Sequence, residues 1–140
     1  MNTECQPCVR GWTLYQNKCY LFVRWRMKTW YESREFCKNR AADLVVIDDL
    51  QEQEFISRHI EFYHSEYHGY WLGLRRKDDN WTWIDGRKDT LGFWIQGTFP
   101  DSNSYALMIF GKNVTENWSK NEPGFKNRFI CEREALIRSD

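Results

Sequence analysis

Tyr70-Trp71-Leu72-Gly73-Leu74, followed by Trp81-Thr82-Trp83-Ile84-Asp85-Gly86, is the stretch on which the fold of this chain turns. Both runs are rich in aromatic and aliphatic residues, as strands are. Residues 75–79 between them (Arg-Arg-Lys-Asp-Asp) read as a solvated turn. Downstream, residues 105–110 and 128–131 also read as strands. Residues 85–104 contain Gly86, Gly92, Gly97 and Pro100 and show little regular signal. A loop of that length in a compact domain usually carries function.

Upstream the pattern changes. Thr29-Trp30-Tyr31-Glu32 is a capping box, in which the threonine oxygen accepts a backbone N–H and the glutamate reaches back. The spacing predicts a helix to about Arg40, with Trp30, Ser33, Cys37 and Ala41 on one face. Residues 44–47 read as a short buried strand. Asp48 or Asp49 caps a second helix, with Glu52 and Glu54 near its positive end. Phe55, Ile56, Ile60 and Tyr63 form its core stripe, with His59 as a core-edge histidine. Residues 12–23, with turn residues Gln16-Asn17, read as a hairpin. Two early helices and a strand-rich second half define an α+β fold.

The 140 residues suffice for one domain with a sizeable core. An aromatic content of 17%, with 8 Trp, argues for a packed globule over a disordered chain. A net charge of +0 gives no support for a nucleic-acid partner or an anionic membrane, since attraction to a polyanion needs excess positive charge. The cysteines are Cys5, Cys8, Cys19, Cys37 and Cys131. Only Cys5 and Cys8 have the close spacing of zinc ligands, and no cysteine pair lies beside His64 and His68. Disulfides fit better and imply an oxidising compartment. Sequons at Asn80, Asn113 and Asn117 agree. No apolar run reaches the length of a membrane span and no signal peptide is visible. Because a disulfide-dependent protein needs export, the chain is expected to be part of a longer one.

The landmarks fall in a specific order: Gly11-Trp12, Lys18-Cys19-Tyr20, Trp30 with Ser33 and Cys37, Ala42-Asp43-Leu44, Glu54-Phe55-Ile56, Trp71-Leu72-Gly73-Leu74, Trp83-Ile84-Asp85-Gly86, Phe93-Trp94 and Phe129-Ile130-Cys131-Glu132. This ordered series resembles the C-type lectin-like domain. The resemblance runs over residues 8–134, with 1–7 expected as a stalk remnant and 135–140 as a tail. It implies two helices, antiparallel sheets whose first and last strands bring the termini together, and a long loop region above. It also implies disulfide staples. The sequence alone does not choose among pairings. The family supplies Cys37–Cys131, from first helix to last strand, and Cys8–Cys19, the extra bridge of the long form. In the chain-entropy model the longer closure stabilises by about 4–5 kcal/mol against about 3. Cys5 is left over, and three readings stay open: an interchain bridge making a homodimer, as in similar receptors; an unpartnered stalk thiol; or an alternative pairing with Cys19.

Two departures from the family matter. The family's second bridge is missing as a unit, with Pro123 and Tyr105 at its cysteine positions. Losing such a bridge commonly costs about 2–5 kcal/mol, part of which Tyr105 recovers by packing, and a looser loop region is expected. The second departure concerns calcium, which takes six to eight oxygens, several of them charged. Sugar-binding relatives supply a Glu-Pro-Asn type tripeptide in the long loop, a further acid and an Asn-Asp after a Trp. Here Ser119 and Lys120 follow Trp118, and the loop reads Thr98-Phe99-Pro100-Asp101. Only Asp101, with Asn103 nearby, remains as a charged oxygen source. No metal or other cofactor is therefore expected. Lys120 is instead a candidate to pair with Asp101 and order the loop without metal.

The sequence is similar to the natural-killer type of these domains: long form, cysteine in the stalk and degenerate calcium ligands. That likeness implies the extracellular head of a membrane-anchored receptor that binds a cell-surface protein ligand through its upper loops. The candidate contacts are Arg75, Arg76, Lys77, Phe93, Gln96, Phe99, Asp101 and Lys120. Trp94 is expected in the core and Phe99 at the surface. A glycan ligand bound without calcium is the second reading, with aromatic faces for sugar rings and Arg75-Arg76-Lys77 for sulfate or sialic acid. A third is displaced calcium on Asp43, Asp48, Asp49, Asp78, Asp79, Asp85 or Asp89. No phosphate loop, paired acid motif or nucleophile elbow points to an enzyme. Asn80 and Asn113 are the glycosylation candidates. Asn117 is a poor acceptor, because Trp118 beside it is expected to be buried.

Overall fold

The computed structural model describes residues 6–98 and 104–136. Eight strands and two helices follow in the order β1 (Thr13–Tyr15), β2 (Lys18–Lys28), α1 (Trp30–Lys38), β3 (Asp43–Leu44), α2 (Leu50–Ser57), β4 (Tyr70–Lys77), β5 (Asn80–Trp83), β6 (Tyr105–Met108), β7 (Trp118–Asn121) and β8 (Asn127–Glu134). The strands form one sheet in the order β1-β2-β8-β4-β6-β7, with β3 beside β8 and β5 beside β4. The α+β expectation holds. The sheet is mixed, however, because β4 and β8 run parallel while the remaining pairs are antiparallel.

The central strands are buried on both faces, so their alternation distributes residues between two cores. Tyr20 and Phe22 of β2, Leu72 and Leu74 of β4, Ala106 and Met108 of β6 and Ile130 of β8 join Phe55 and Ile56 of α2. Leu21 and Val23, Trp71, Leu107, Phe129 and Cys131 join Trp30 and Cys37 of α1. Each helix thus covers one face of the sheet. Gly73 explains the glycine of the opening motif. A Cβ there would lie 2.9 Å from the Val45 carbonyl oxygen and 3.0 Å from that of Leu44, and although Ile84 Cδ1 at 3.0 Å could move, these backbone atoms could not yield cheaply.

The disulfides are Cys8–Cys19 and Cys37–Cys131, as the family resemblance implied. The capping box at Thr29 and Glu32 is present, and Asp49 caps α2. β2 and β8 pair from Lys18↔Glu134 onward, and Leu136 donates to the Pro7 carbonyl at 2.6 Å, so the two ends of the described chain meet.

Several boundaries differ from expectation. α1 stops at Lys38, and Ala41 is exposed in a left-handed conformation at φ 57°, off the predicted helical face. α2 stops at Ser57, so Ile60 reaches the core from a turn and Tyr63 is half-buried beyond it. Only Asp43–Leu44 pair as a strand, though Val45, Val46 and Ile47 are buried. β6 ends at Met108, leaving Phe110 exposed. β7 was not anticipated as a strand.

Candidate ligand-binding site

At the end of the sheet where β4 leaves the core, Arg75, Arg76 and Lys77 follow one another as its last three residues. Arg75 pairs with Thr82 of β5 and with Tyr105 of β6, and Arg76 N–H donates to the Ser104 carbonyl at 2.9 Å. The Arg75 guanidinium lies 5.3 Å from the centre of the Trp30 ring. None of the three side chains makes an ion pair with a carboxylate among the described residues. Asp78 and Asp79 close the β4–β5 turn with φ of 51° and 66°, and they too form no pair.

Tyr105 takes one position of the lost bridge. It is buried against Trp30, with ring centres 4.8 Å apart, and its hydroxyl is 2.8 Å from that of exposed Tyr31. Burial and the hydrogen bond to Tyr31 push the Tyr105 hydroxyl up to about 12, so it stays protonated at physiological pH. Tyr31, Tyr105, Arg75, Arg76 and Lys77 line a shallow concavity of roughly 280 Å³.

The segment after β5 folds over Trp118, which is fully buried. Phe93 and Trp94 are both half-buried, with ring centres 5.3 and 5.4 Å from Trp118. Trp94 also meets Trp81 at 4.4 Å, so it sits at the core's edge and not within it. Gln96 is exposed in the next turn. Lys120 is half-buried on β7 opposite Ala106. Phe99, Asp101, Asn103 and Cys5 lie outside the described residues, and so does the Lys120–Asp101 pairing. The structure therefore brings Arg75, Arg76 and Lys77 together with two tyrosines, and places Phe93 under the loop beside the strand that carries Lys120.

Ser119 and Lys120 of β7 offer a hydroxyl and an ammonium at the positions where the family resemblance implied charged oxygens for calcium. Of the carboxylates weighed as substitutes, Asp78 and Asp79 form no ion pair among the described residues, and the other five are engaged elsewhere. Asp43 takes Arg34 at 3.0 Å, Asp48 takes Lys18 at 3.1 Å and Arg87 at 2.5 Å, and Asp85 takes Arg87 at 2.9 Å. Asp49 caps α2, and Asp89 accepts the backbone N–H groups of Leu91 and Gly92. Among the described residues no three His, Cys, Asp or Glu groups assemble for a metal.

Asn80 opens β5 and is exposed, as is Asn113 in the turn after β6. Asn117 is buried, with its side chain between Gln53 at 2.7 Å and Ser57 at 3.0 Å. Gln53 in turn accepts from the Trp118 indole at 3.1 Å. This polar network under α2 escaped sequence reasoning, which placed Gln53 nowhere.

A second charged cluster also went unread. Lys18 of β2 reaches Asp48 at 3.1 Å and Glu52 and Glu132 at 3.3 Å each, and the Tyr20 hydroxyl donates to Glu52 at 2.5 Å. Burial pulls the Lys18 ammonium down, but attraction from Glu132, Glu52 and Asp48 outweighs it and raises it above the usual lysine value. Burial pushes Glu132 up to about 7, against the pull of Lys18 and of the Val46 N–H.

The helix on each face, the mixed sheet, the two bridges and the loop over a buried Trp define a lectin-type recognition domain. The model of the Lectin C-type domain family matches residues 26–133, and the chain belongs to that family. It is 32% identical to mouse C-type lectin domain family 4 member G, over 96% of this chain and 45% of that protein. It is 28% identical to natural killer cells antigen CD94 of Macaca mulatta, over 96% of this chain and 70% of that one. Among solved structures it resembles the Ca2+-independent C-type lectin SPL-2 from Saxidomus purpuratus, with TM-score 0.78, 28% identity, and 93% and 96% of the two chains covered. The chain thus spans less than half the length of the first of these relatives.

Proposed function

We propose that this chain is the extracellular recognition head of a membrane-anchored, natural-killer-type receptor that binds a cell-surface protein ligand without calcium. The observation that carries the reading is Ser119-Lys120 on β7, a cation where the family's mechanism needs carboxylates. Electrostatics set the sign, since an ammonium and a divalent cation repel at contact distance. The contact surface is the end of β4 with the loop above it: Arg75, Arg76, Lys77, Phe93, Gln96, Phe99, Asp101 and Lys120. Arginine and aromatic residues are the side chains enriched at such interfaces. The domain has a binding role and no catalytic one, which accords with relatives that are lectin-type receptors and antigens. Glycans on Asn80 and Asn113 and a Cys5-linked homodimer complete the proposal.

The likeness to a calcium-independent lectin supports a second reading, recognition of a glycan without metal. One experiment separates the three cases. Calcium titration by calorimetry, with melting measured in calcium and in chelator, is expected to give no heat and no shift. Binding to target cells is then expected to survive both chelator and glycosidase treatment. Binding that survives chelator but is lost to glycosidase would favour the glycan. A calcium-dependent shift would overturn the metal-free reading.

A further inference from the structure

We propose that the flank of the sheet around Trp25 and Met27 is a second protein-binding face, which takes an acidic segment of a partner that also carries apolar side chains. This face goes beyond the contact surface at the end of β4 and stands without it. Arg128 pairs with Tyr70, the first residue of β4, whereas Lys77 is the last. At about 3.3 Å per residue the two ends of that strand stand roughly 20 Å apart.

A bulge creates the face. Val23 pairs with Phe129 and Lys28 with Asn127, so residues 24–27 of β2 stand against Arg128 alone. Extra residues of this kind leave the ladder and re-aim their side chains. The segment reads Arg24-Trp25-Arg26-Met27, and it turns Trp25 outward at 60% exposure and Met27 at 41%. Every other tryptophan of the chain is buried or half-buried. Folding therefore does not account for the place of this indole.

The four bulge residues meet Tyr63 and Arg128 around a concavity of roughly 340 Å³. Its walls are held from behind. The Arg24 guanidinium donates to the His59 carbonyl and lies 5.4 Å from the centre of the Phe22 ring. The Arg128 guanidinium sits 4.0 Å from the centre of the Tyr63 ring, and the Tyr63 hydroxyl accepts the Arg128 backbone N–H at 2.8 Å. Walls already in place spare a partner the entropy of ordering them.

Charge selects the occupant. Three guanidiniums stand here, and the carboxylate that meets them among the described residues is Glu61, 3.1 Å from Arg128 and 3.9 Å from Arg24. Arg26 pairs with no carboxylate among the described residues. The local surplus is positive, so a complementary partner is acidic. The surplus is also confined. The whole chain has a net charge of +0, so an extended polyanion or an anionic membrane gains little from it. A second copy seated on the same face would set guanidinium against guanidinium across a twofold axis. Tryptophan, methionine and arginine are enriched where proteins meet, and tryptophan and arginine supply most of the strong contacts.

The test is calorimetric titration with a synthetic peptide that alternates glutamate and leucine, at about 0.15 M NaCl, where weak surface attraction is screened. A lysine–leucine peptide, a glutamate–serine peptide and vesicles of phosphatidylserine with phosphatidylcholine are the comparison ligands. The glutamate–leucine peptide is expected to bind and to shift the Trp25 indole resonance, and the lysine–leucine peptide and the vesicles are expected not to bind. The glutamate–serine peptide is expected to bind about threefold more weakly or worse, having lost its apolar contacts. Trp25→Ala is expected to lose about tenfold in affinity and Arg26→Gln about threefold. Both side chains are exposed, so both variants are expected to melt with the unaltered domain. Failure of the glutamate–leucine peptide to bind, or binding that neither variant weakens, would overturn the inference. Preference for vesicles would make the face a membrane contact, and self-association abolished by Trp25→Ala would make it a contact between copies. Either result overturns the acidic-partner inference and leaves the β4 surface untouched.

Discussion

Two charged regions of this domain, both involving basic side chains beside tyrosines, have opposite fates. Around Lys18, a single ammonium is shared by Asp48, Glu52 and Glu132, Tyr20 donates to Glu52, and Arg87 takes the outer side of Asp48. At the end of β4, three consecutive cations pair with no carboxylate among the described residues, and the two tyrosines bond to each other. The first cluster joins β2, α2 and β8 and satisfies its charges internally. The second has no counter-charge among the described residues, which is what the proposed binding role requires. The contrast separates charge that specifies a fold from charge that is available for binding, and the available kind is not required by the folded state.

The sharpest way to break this comparison is to remove the shared cation. Lys18→Met leaves Glu52, buried, and Glu132, half-buried, without their counter-charge. Stripping one partner from such a group is expected to cost about 3 kcal/mol. Denaturant unfolding of the variant reads it directly. A loss below about 1 kcal/mol would mean that water already screens the cluster and that its charges are as idle as those on β4.

The same cluster is expected to make stability depend on pH. Burial raises Glu132 from 4.5 to about 7, so the folded state holds its proton more tightly than the unfolded chain. The associated stability is fully present below about pH 4.5 and is lost as pH rises through about 7. The steepest slope for one proton is about 1.4 kcal/mol per pH unit. Asp48 works in a separate window. Burial opposes it, but bonds to Arg87 and Lys18 hold it below its usual value, so its contribution is lost only as pH falls below about 3.8. Glu132→Gln keeps an acceptor for the Val46 N–H and is expected to flatten the fall between pH 5 and 8, roughly the Glu132 window. An unchanged slope would place the titration on another group.

Much of this contrast was beyond reach of the sequence, for reasons of distance. The fold was legible because its signals are local or periodic: the capping box at Thr29, the Asp cap before α2, and the alternation in β4 that Gly73 interrupts where two carbonyls press in. Lys18, Glu52 and Glu132 are far apart in the chain, and no local pattern announces that they meet. Glu52 looked like an ordinary helix-start acid. Arg75-Arg76-Lys77 was visible because it is contiguous, but its lack of a carboxylate partner among the described residues was not. Tyr31 was read only as part of a helix start, since its bond to Tyr105 crosses from α1 to β6. β7 carries Ser119 and Lys120 between buried Trp118 and Asn121, too polar to read as a strand.

The tyrosine pair offers an intermediate case. Tyr31→Phe removes a neutral, part-exposed hydrogen bond and is expected to cost about 1 kcal/mol. Tyr105 still packs on Trp30 in this variant. Thermal unfolding of the variant measures the cost, and a loss as large as that of Lys18→Met would make the pair a structural replacement for the missing bridge.

The smallest effect is the most telling. Arg76→Gln/Lys77→Gln is expected to change stability by no more than about 0.5 kcal/mol, because neither side chain pairs with any carboxylate among the described residues. Removing the buried, unpartnered Nε of Arg76 can even stabilise the fold slightly, since an unmet donor is a cost. Ligand binding, by contrast, is expected to fall sharply in the same variant. Residues that bind without holding the fold together show this dissociation, and unfolding and binding curves on one preparation reveal it. If stability fell along with binding, Arg76 and Lys77 would belong with Lys18, and the two regions would be variations on one structural theme.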